Sequence, residues 1–178
     1  LLPDGLDLQP LLQEAKRQLH EEADFRLEAR HLQYFALALE DRPEFLVPGV
    51  DESLTQENIL AMDLLEGEPI ESLTTAPQET RDRVVGLLLE LLFREMFEFG
   101  MIQTDPNLAN FLYIPGTRQL GLLDFGATRR YPARIIGAYR QLLESALRED
   151  HDAMSESARQ IGYFKSGIHR AGTRGSFA

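Results

Sequence analysis

The sequence contains no cysteine, and of its 18 basic residues only Lys16 and Lys165 are lysines. Without cysteine there is no disulfide framework, no thiolate nucleophile and no thiolate-ligated metal. Long apolar runs are missing as well: the longest, Val84 to Phe93, is interrupted by Glu90 and falls short of the roughly 20 residues of a membrane-spanning helix. Positive charge is scarce. The 18 Lys plus Arg stand against 29 Asp plus Glu, a net charge of -11 that repels a phosphate backbone, so nucleic acid is not an expected partner. The remaining composition, 178 residues with 43% hydrophobic and 26% charged, is that of an ordinary globular domain able to bury roughly 70% of its unfolded surface. A start at Leu1 with no signal-peptide pattern, and a loop-like end from Ser166 to Ala178, are what a piece of a longer protein is expected to show.

Helical spacing of Leu8, Leu11, Leu12, Ala15, Leu19, Leu27, Leu32 and Phe35 predicts a long amphipathic helix from Leu8 to about Leu39, with room for one break. Pro43 stops it, and the short apolar runs Phe45 to Val47 and Asn58 to Leu65 read as two or three strands. A second helix is expected from Thr80 to Gly100. Its apolar residues cover nearly the whole circumference, which predicts a buried central helix ended by Gly100 in the left-handed conformation. Phe111 to Ile114, the turn Pro115-Gly116-Thr117 and Leu120 to Leu123 read as a hairpin. Helices from Pro132 to Arg148 and from His151 to Ile161 follow.

A short hairpin returns the chain to its starting edge, so polar residues flanking its two ends meet in space. Asp105 and Asn110 precede the hairpin and Asp124 follows it, so their oxygens are expected to converge. Such hard ligands suit Mg²⁺, which prefers one or two protein carboxylates plus substrate phosphates. Protein kinases use this layout: a loop Asp, an Asn five residues on, then Asp-Phe-Gly, here Asp124-Phe125-Gly126.

Gln103-Thr-Asp-Pro-Asn-Leu-Ala-Asn-Phe-Leu-Tyr113, followed by Leu122-Leu-Asp-Phe-Gly-Ala-Thr-Arg129, resembles the UbiB/aarF-domain family of atypical kinase-like proteins, which is linked to ubiquinone biosynthesis. Glu22-Ala-Asp-Phe-Arg-Leu-Glu-Ala29 resembles the Glu-x-Asp signature of the same family, and the match runs from Leu6 to about Phe164. The resemblance implies an α+β, protein-kinase-like fold. Residues 1–66 would be a partial N-lobe of one Glu-bearing helix and short strands up to the hinge. Residues 67–164 would be a mostly helical C-lobe, and 165–178 a tail. It further implies ATP and Mg²⁺ as cofactors, with Asp105 as the catalytic-loop aspartate, Asn110 and Asp124 as metal ligands and Glu28 as the partner of a nucleotide-binding lysine. Glu22 and Asp24 would be the signature pair, and Met62 to Leu65 the strand-to-hinge passage that meets the adenine. ATPase or small-molecule or lipid phosphotransferase-like activity would then serve ubiquinone or prenyl-lipid metabolism. The partners would be a nucleotide, a small lipid or prenyl-quinone precursor and, through the longer protein, a membrane surface; the location would be cytoplasmic or peripheral to a membrane. A non-catalytic pseudokinase or docking module is the alternative.

Two departures stand out: neither lysine occupies a strand ahead of the Glu28 helix, and no Gly-rich loop or Lys-x-Gly-Gln motif is present. Between Gly126 and Pro132 only five residues intervene, too few for a peptide-docking platform, so a small or membrane-derived acceptor, or water, is expected over a protein. Each motif also has a plainer reading. Asp105 before Pro106 suits a turn opener, charges on the Glu22 to Glu28 helix suit a solvated face, and Arg129 and Arg130 are either phosphate contacts or solvated. All four histidines read as surface residues. Asp24 and Glu28, four apart, are expected to point two carboxylates into one cleft. Glu28-x-x-His31 also fits half of a di-iron helix site, but the residues three before His20, His151 and His169 are Arg17, Arg148 and Ser166, so the second half is absent.

Overall fold

The structure is a computed structural model that describes Gln9, Gln13, residues 24–105 and residues 107–163. Most of the first half of the expected leading helix, with Glu22, Lys16 and His20, lies outside the described residues, as do Lys165 and His169. Helix α1 spans Phe25–Ala38. It starts where Asp24 leaves helical geometry (φ -95°, ψ 90°) and accepts the Arg26 N–H at 3.0 Å, a side-chain cap that satisfies one of the orphan donors of the first turn. Asp24 is thus where α1 begins within the stretch expected to be helical.

Strand β1 (Phe45–Leu46) follows, but Asn58 to Leu65 is not a regular strand. Only the isolated pairs Val50 with Met62 and Gln56 with Ile59 form there. Side chains organise this stretch in place of a ladder: Asp51 Oδ1 accepts the Ser53 and Leu54 N–H groups, and the Thr55 hydroxyl donates to the Asp51 carbonyl at 2.8 Å. These local bonds compete with sheet pairing.

Strand β2 (Glu68–Pro69) and a 3₁₀ turn (Ile70–Thr75) lead to α2 (Gln78–Arg94), which passes into a π-helical turn, Glu95–Phe99. Gly100 ends it at φ 62°, as the sequence predicts, because only glycine adopts that conformation without penalty. The expectation of an all-round buried helix is corrected. Val84, Leu87 and Leu91 are buried, but Val85, Leu89, Leu92 and Phe93 are 42–55% exposed.

Then come β3 (Met101–Gln103), a 3₁₀ turn (Leu108–Asn110), β4 (Phe111–Ile114), β5 (Gln119–Leu122) and β6 (Thr128–Arg130). Helices α3 (Ala133–Leu147) and α4 (His151–Ile161) close the described chain. Pro132 is the N-cap residue of α3 rather than part of its first turn.

The main sheet has the order β1-β5-β4-β2, and β3 pairs antiparallel with β6. The β4–β5 hairpin is in register as Phe111 with Leu122 and Tyr113 with Leu120, which puts those four side chains inward. Strand β1 joins β5 in parallel, so the segment before residue 66 and the one after it share this sheet. Gly67 lies so close to the hairpin that a Cβ would stand 2.9 Å from the Tyr113 carbonyl. The core gathers Leu32 and Phe35 of α1, Leu87 and Leu91 of α2, and Leu120, Leu122 and Phe125 around the hairpin.

Candidate functional site

The hairpin brings its flanks together as its topology requires. The Leu123 N–H donates to the Asn110 carbonyl at 3.0 Å, extending the ladder one step past Phe111, and the Asn110 side-chain amide lies 3.3 Å from Asp124 Oδ2. The other oxygen of Asp124 accepts the Gly126 N–H at 2.8 Å, so one carboxylate both fixes the turn and presents an oxygen to Asn110. Asp105 is exposed and is tied to this point through its neighbour: the Thr104 N–H and hydroxyl both donate to the Ala127 carbonyl, at 3.0 and 2.5 Å. The structure thus places Asn110 and Asp124 in contact and Asp105 on the adjoining loop.

Helix α1 docks on the Asp-Phe-Gly turn at three levels. Phe35 and Phe125, both essentially inaccessible, stack with ring centroids 4.4 Å apart. One turn earlier, His31 Nδ1 lies 3.0 Å from the Phe125 carbonyl, which requires that nitrogen to be the donor. Burial holds the His31 pKa below the usual histidine value, so His31 is a half-buried anchor and not the surface residue expected. One turn earlier again, Glu28 is buried beside Asp124, and a Cβ on Gly126 would sit 3.5 Å from Glu28 Oε2 and 3.3 Å from Asp124 Oδ1. Glu28 is pushed up to about 7, first by burial and then by the charge and hydrogen bond of Asp124, against the opposing Phe125 N–H. Two close carboxyls in a desolvated corner cannot both ionise freely. The spacing of Glu28, His31 and Phe35 along one helical stripe carried the signal for this docking.

Other expected site residues lie elsewhere. Asp24 does not join Glu28 in the cleft; its carboxylate turns back to cap α1, because it stands one residue outside the helix, where the 3.6-residue period no longer sets its direction. Met62 is 40% exposed and bridged to Val50. Leu65 is half-buried, with Cδ1 3.2 Å from where a Gly121 Cβ would be, which seats the passage into β2 against the hairpin. Arg129 and Arg130 are exposed on β6, and the Arg130 guanidinium contacts Met101 Sδ at 3.2 Å.

A profile of the ABC1 atypical kinase-like domain matches residues 1–158. The chain belongs to the ABC1 atypical kinase-like family. It is 41% identical over 163 residues to the Saccharomyces cerevisiae protein named atypical kinase COQ8, mitochondrial, covering 92% of this chain and 32% of that protein. It is 36% identical over 162 residues to rat atypical kinase COQ8B, mitochondrial, covering 91% and 31%. Among solved structures, Rv3197 of Mycobacterium tuberculosis, determined in complex with erythromycin, superimposes with a TM-score of 0.77 at 27% identity over 96% of this chain and 43% of that one. The fold is kinase-like, with the α+β make-up expected, and the homologues tie the family to ubiquinone biosynthesis. The chain spans about a third of the length of these COQ8 relatives.

Within the ABC1 frame the donor set fits a magnesium nucleotide. Asp124 carries a carboxylate, and Asn110 carries an amide oxygen besides the Nδ2 that donates to Asp124; together they could hold Mg²⁺ in the sparse hard-oxygen way it uses when phosphates complete its shell. Among the described residues there is no cluster of three or more His, Cys, Asp or Glu that would cage a metal by itself. No helix among the described residues is long and apolar enough to cross a membrane.

Proposed function

We propose that this chain forms the metal- and phosphate-clamping part of an ATP-binding atypical kinase site. The activity is ATP hydrolysis or phosphoryl transfer to a small-molecule or lipid acceptor, in support of ubiquinone or prenyl-lipid metabolism at a membrane surface. The contact of Asn110 with Asp124, 3.3 Å apart at the two ends of one hairpin and next to buried Glu28, carries this reading. Asp124 and Asn110 hold Mg²⁺, which when bound neutralises charge on the triphosphate. Asp105, on the loop that Thr104 fastens to Ala127, orients or deprotonates the nucleophile. Glu28 pairs with a phosphate-anchoring lysine supplied by the longer protein, and the Met62 to Leu65 passage meets the adenine. Glu22 and Asp24 are the family's signature positions. Asp24 acts by fixing where α1 begins and hence where Glu28 points. Catalysis in such a site is chiefly positioning and electrostatics.

A small acceptor, or water, is supported by the course of the chain after Gly126. Strand β6 takes up Thr128–Arg130 in pairing with β3, and Pro132 caps α3 two residues later. That leaves no free segment on which a peptide substrate would lie. The test is a thermal-shift titration of the full-length protein with Mg-ATP and Mg-ADP. At a hundredfold excess over Kd, ligand adds about 2.7 kcal/mol, a shift of several degrees for a domain of this size. No shift with either nucleotide overturns the reading in favour of a docking module, and efficient phosphorylation of an added protein overturns the small-acceptor assignment.

A further inference from the structure

The buried stripe of α2 runs Val84, Leu87, Leu91 and then Glu95, where the period calls for another apolar residue and the sequence supplies a carboxyl. Glu95 is only 3% exposed, opens the π-helical turn Glu95–Phe99, and has one oxygen, Oε1, buried without a partner. Burying a carboxyl in such a place is costly, and its pKa is pushed up to about 7 by desolvation, with only the Gln103 N–H opposing. Such π turns are rare, and where they occur they are frequently at functional sites.

The second oxygen shows what the carboxyl does. Glu95 Oε2 accepts the backbone N–H of Gln103 at 3.1 Å. The side-chain amide of Gln103 in turn donates to the backbone carbonyl of Asp124. Gln103 is also the last residue of β3, opposite Thr128, and Thr104 beside it makes the two bonds to Ala127. A single residue therefore touches both halves of the site, the loop carrying Asp105 and the turn carrying Asp124, and Glu95 grips that residue by its backbone.

Resting on the ATP-binding reading above, we propose that Glu95 is a positioning residue of the site: its buried carboxyl sets Gln103, and through Gln103 the placement of Asp124 and of the Asp105 loop. Leu or Met would serve packing alone at this point of the stripe; a side-chain oxygen is required because the Gln103 N–H needs an acceptor away from β6.

The test compares Glu95→Met, which removes the acceptor at similar length, with Glu95→Gln, which retains one, in the full-length protein. Amide hydrogen exchange and Mg-ATP affinity are the two readouts. Expected for Glu95→Met are at least tenfold faster exchange at residues 101–105 and 124–128, unchanged exchange at 84–91, and about tenfold weaker Mg-ATP binding. Glu95→Gln is expected to recover both to within about threefold of wild type. Unchanged exchange at 124–128 in Glu95→Met, or equal loosening of all three segments, overturns the proposal. Should Glu95→Met fail to fold, Gln103→Ala decides instead, with faster exchange at 124–128 expected and unchanged exchange there overturning the relay. Exchange needs no nucleotide, so a wild-type protein that ignores Mg-ATP defeats the nucleotide reading while the exchange result still decides the relay.

Discussion

Glu95 gives the protein a pH dependence of stability that can be worked from the structure. Its carboxyl is about 7 in the fold against an ordinary 4.5. The folded state therefore binds more protons than the unfolded chain between those values. Stability from this group is fully present below about pH 4.5 and is lost as pH rises through about 7. A shift of this size, at 1.36 kcal/mol per unit, corresponds to about 3 kcal/mol. The side chain is almost wholly buried, and its neighbour Arg94 is engaged elsewhere, with Asp41 at 3.0 Å and Glu98 at 2.7 Å, so little screening is available. Glu95→Gln, which is neutral at every pH, should flatten that part of the profile. Urea denaturation of wild type and variant at pH 5 and pH 8 measures it as a double difference. Relative to wild type, the variant should gain about 2–3 kcal/mol on going from pH 5 to pH 8, since part of the full effect is already lost at pH 5. Glu28, shifted in the same direction, cancels from the difference because both proteins carry it. Parallel stabilities of the two proteins across this range would refute the assignment of a neutral, buried Glu95.

Asp124→Asn keeps an oxygen able to accept the Gly126 N–H but loses the charge, so the fold should persist while the Mg²⁺-dependent part of the nucleotide thermal shift disappears; an unchanged shift would remove Asp124 from the metal site. Phe125→Ala deletes the ring stacked on Phe35 and should cost about 3–5 kcal/mol, read as a drop in Tm of roughly ten degrees, with a drop of two degrees or less counting against its place in the core. Gly100→Ala forces a Cβ into a positive-φ residue with Ile136 Cδ1 only 3.2 Å away; a loss of about 1–2 kcal/mol is expected from the backbone alone, and denaturant midpoints at fixed m-value would measure it.

Where the determinants were local, the chain spelled out its structure. Asp105, Asn110 and Asp124 flank a hairpin whose turn residues and apolar runs are adjacent in sequence, so the meeting of Asn110 with Asp124 follows from strand return alone. Gly100 and the bounds of the last two helices were legible for the same reason, to within a residue. The π turn was not, because a switch from i→i+4 to i→i+5 hydrogen bonding over five residues is too short to alter the apolar period. Nor was the one-sided burial of α2: its circumference is apolar, but burial depends on what packs against each face, and Val85, Leu89, Leu92 and Phe93 face outward. Residues 58–65 are as apolar as a strand, yet the Asp51 and Thr55 side chains take up the local hydrogen bonding.

Sequence alone determined the family, the kinase-like fold and the residues that flank the hairpin, since motif spacing and turn chemistry are properties of neighbours along the chain. Tertiary structure alone decided that α1 rests on the Asp-Phe-Gly turn through His31 and Phe35, that Glu28 shares a corner with Asp124, and that Glu95 reaches Gln103. Those are contacts between residues tens of positions apart or around a helical irregularity. Their energies arise from desolvation and from partners that only the packed chain brings within reach.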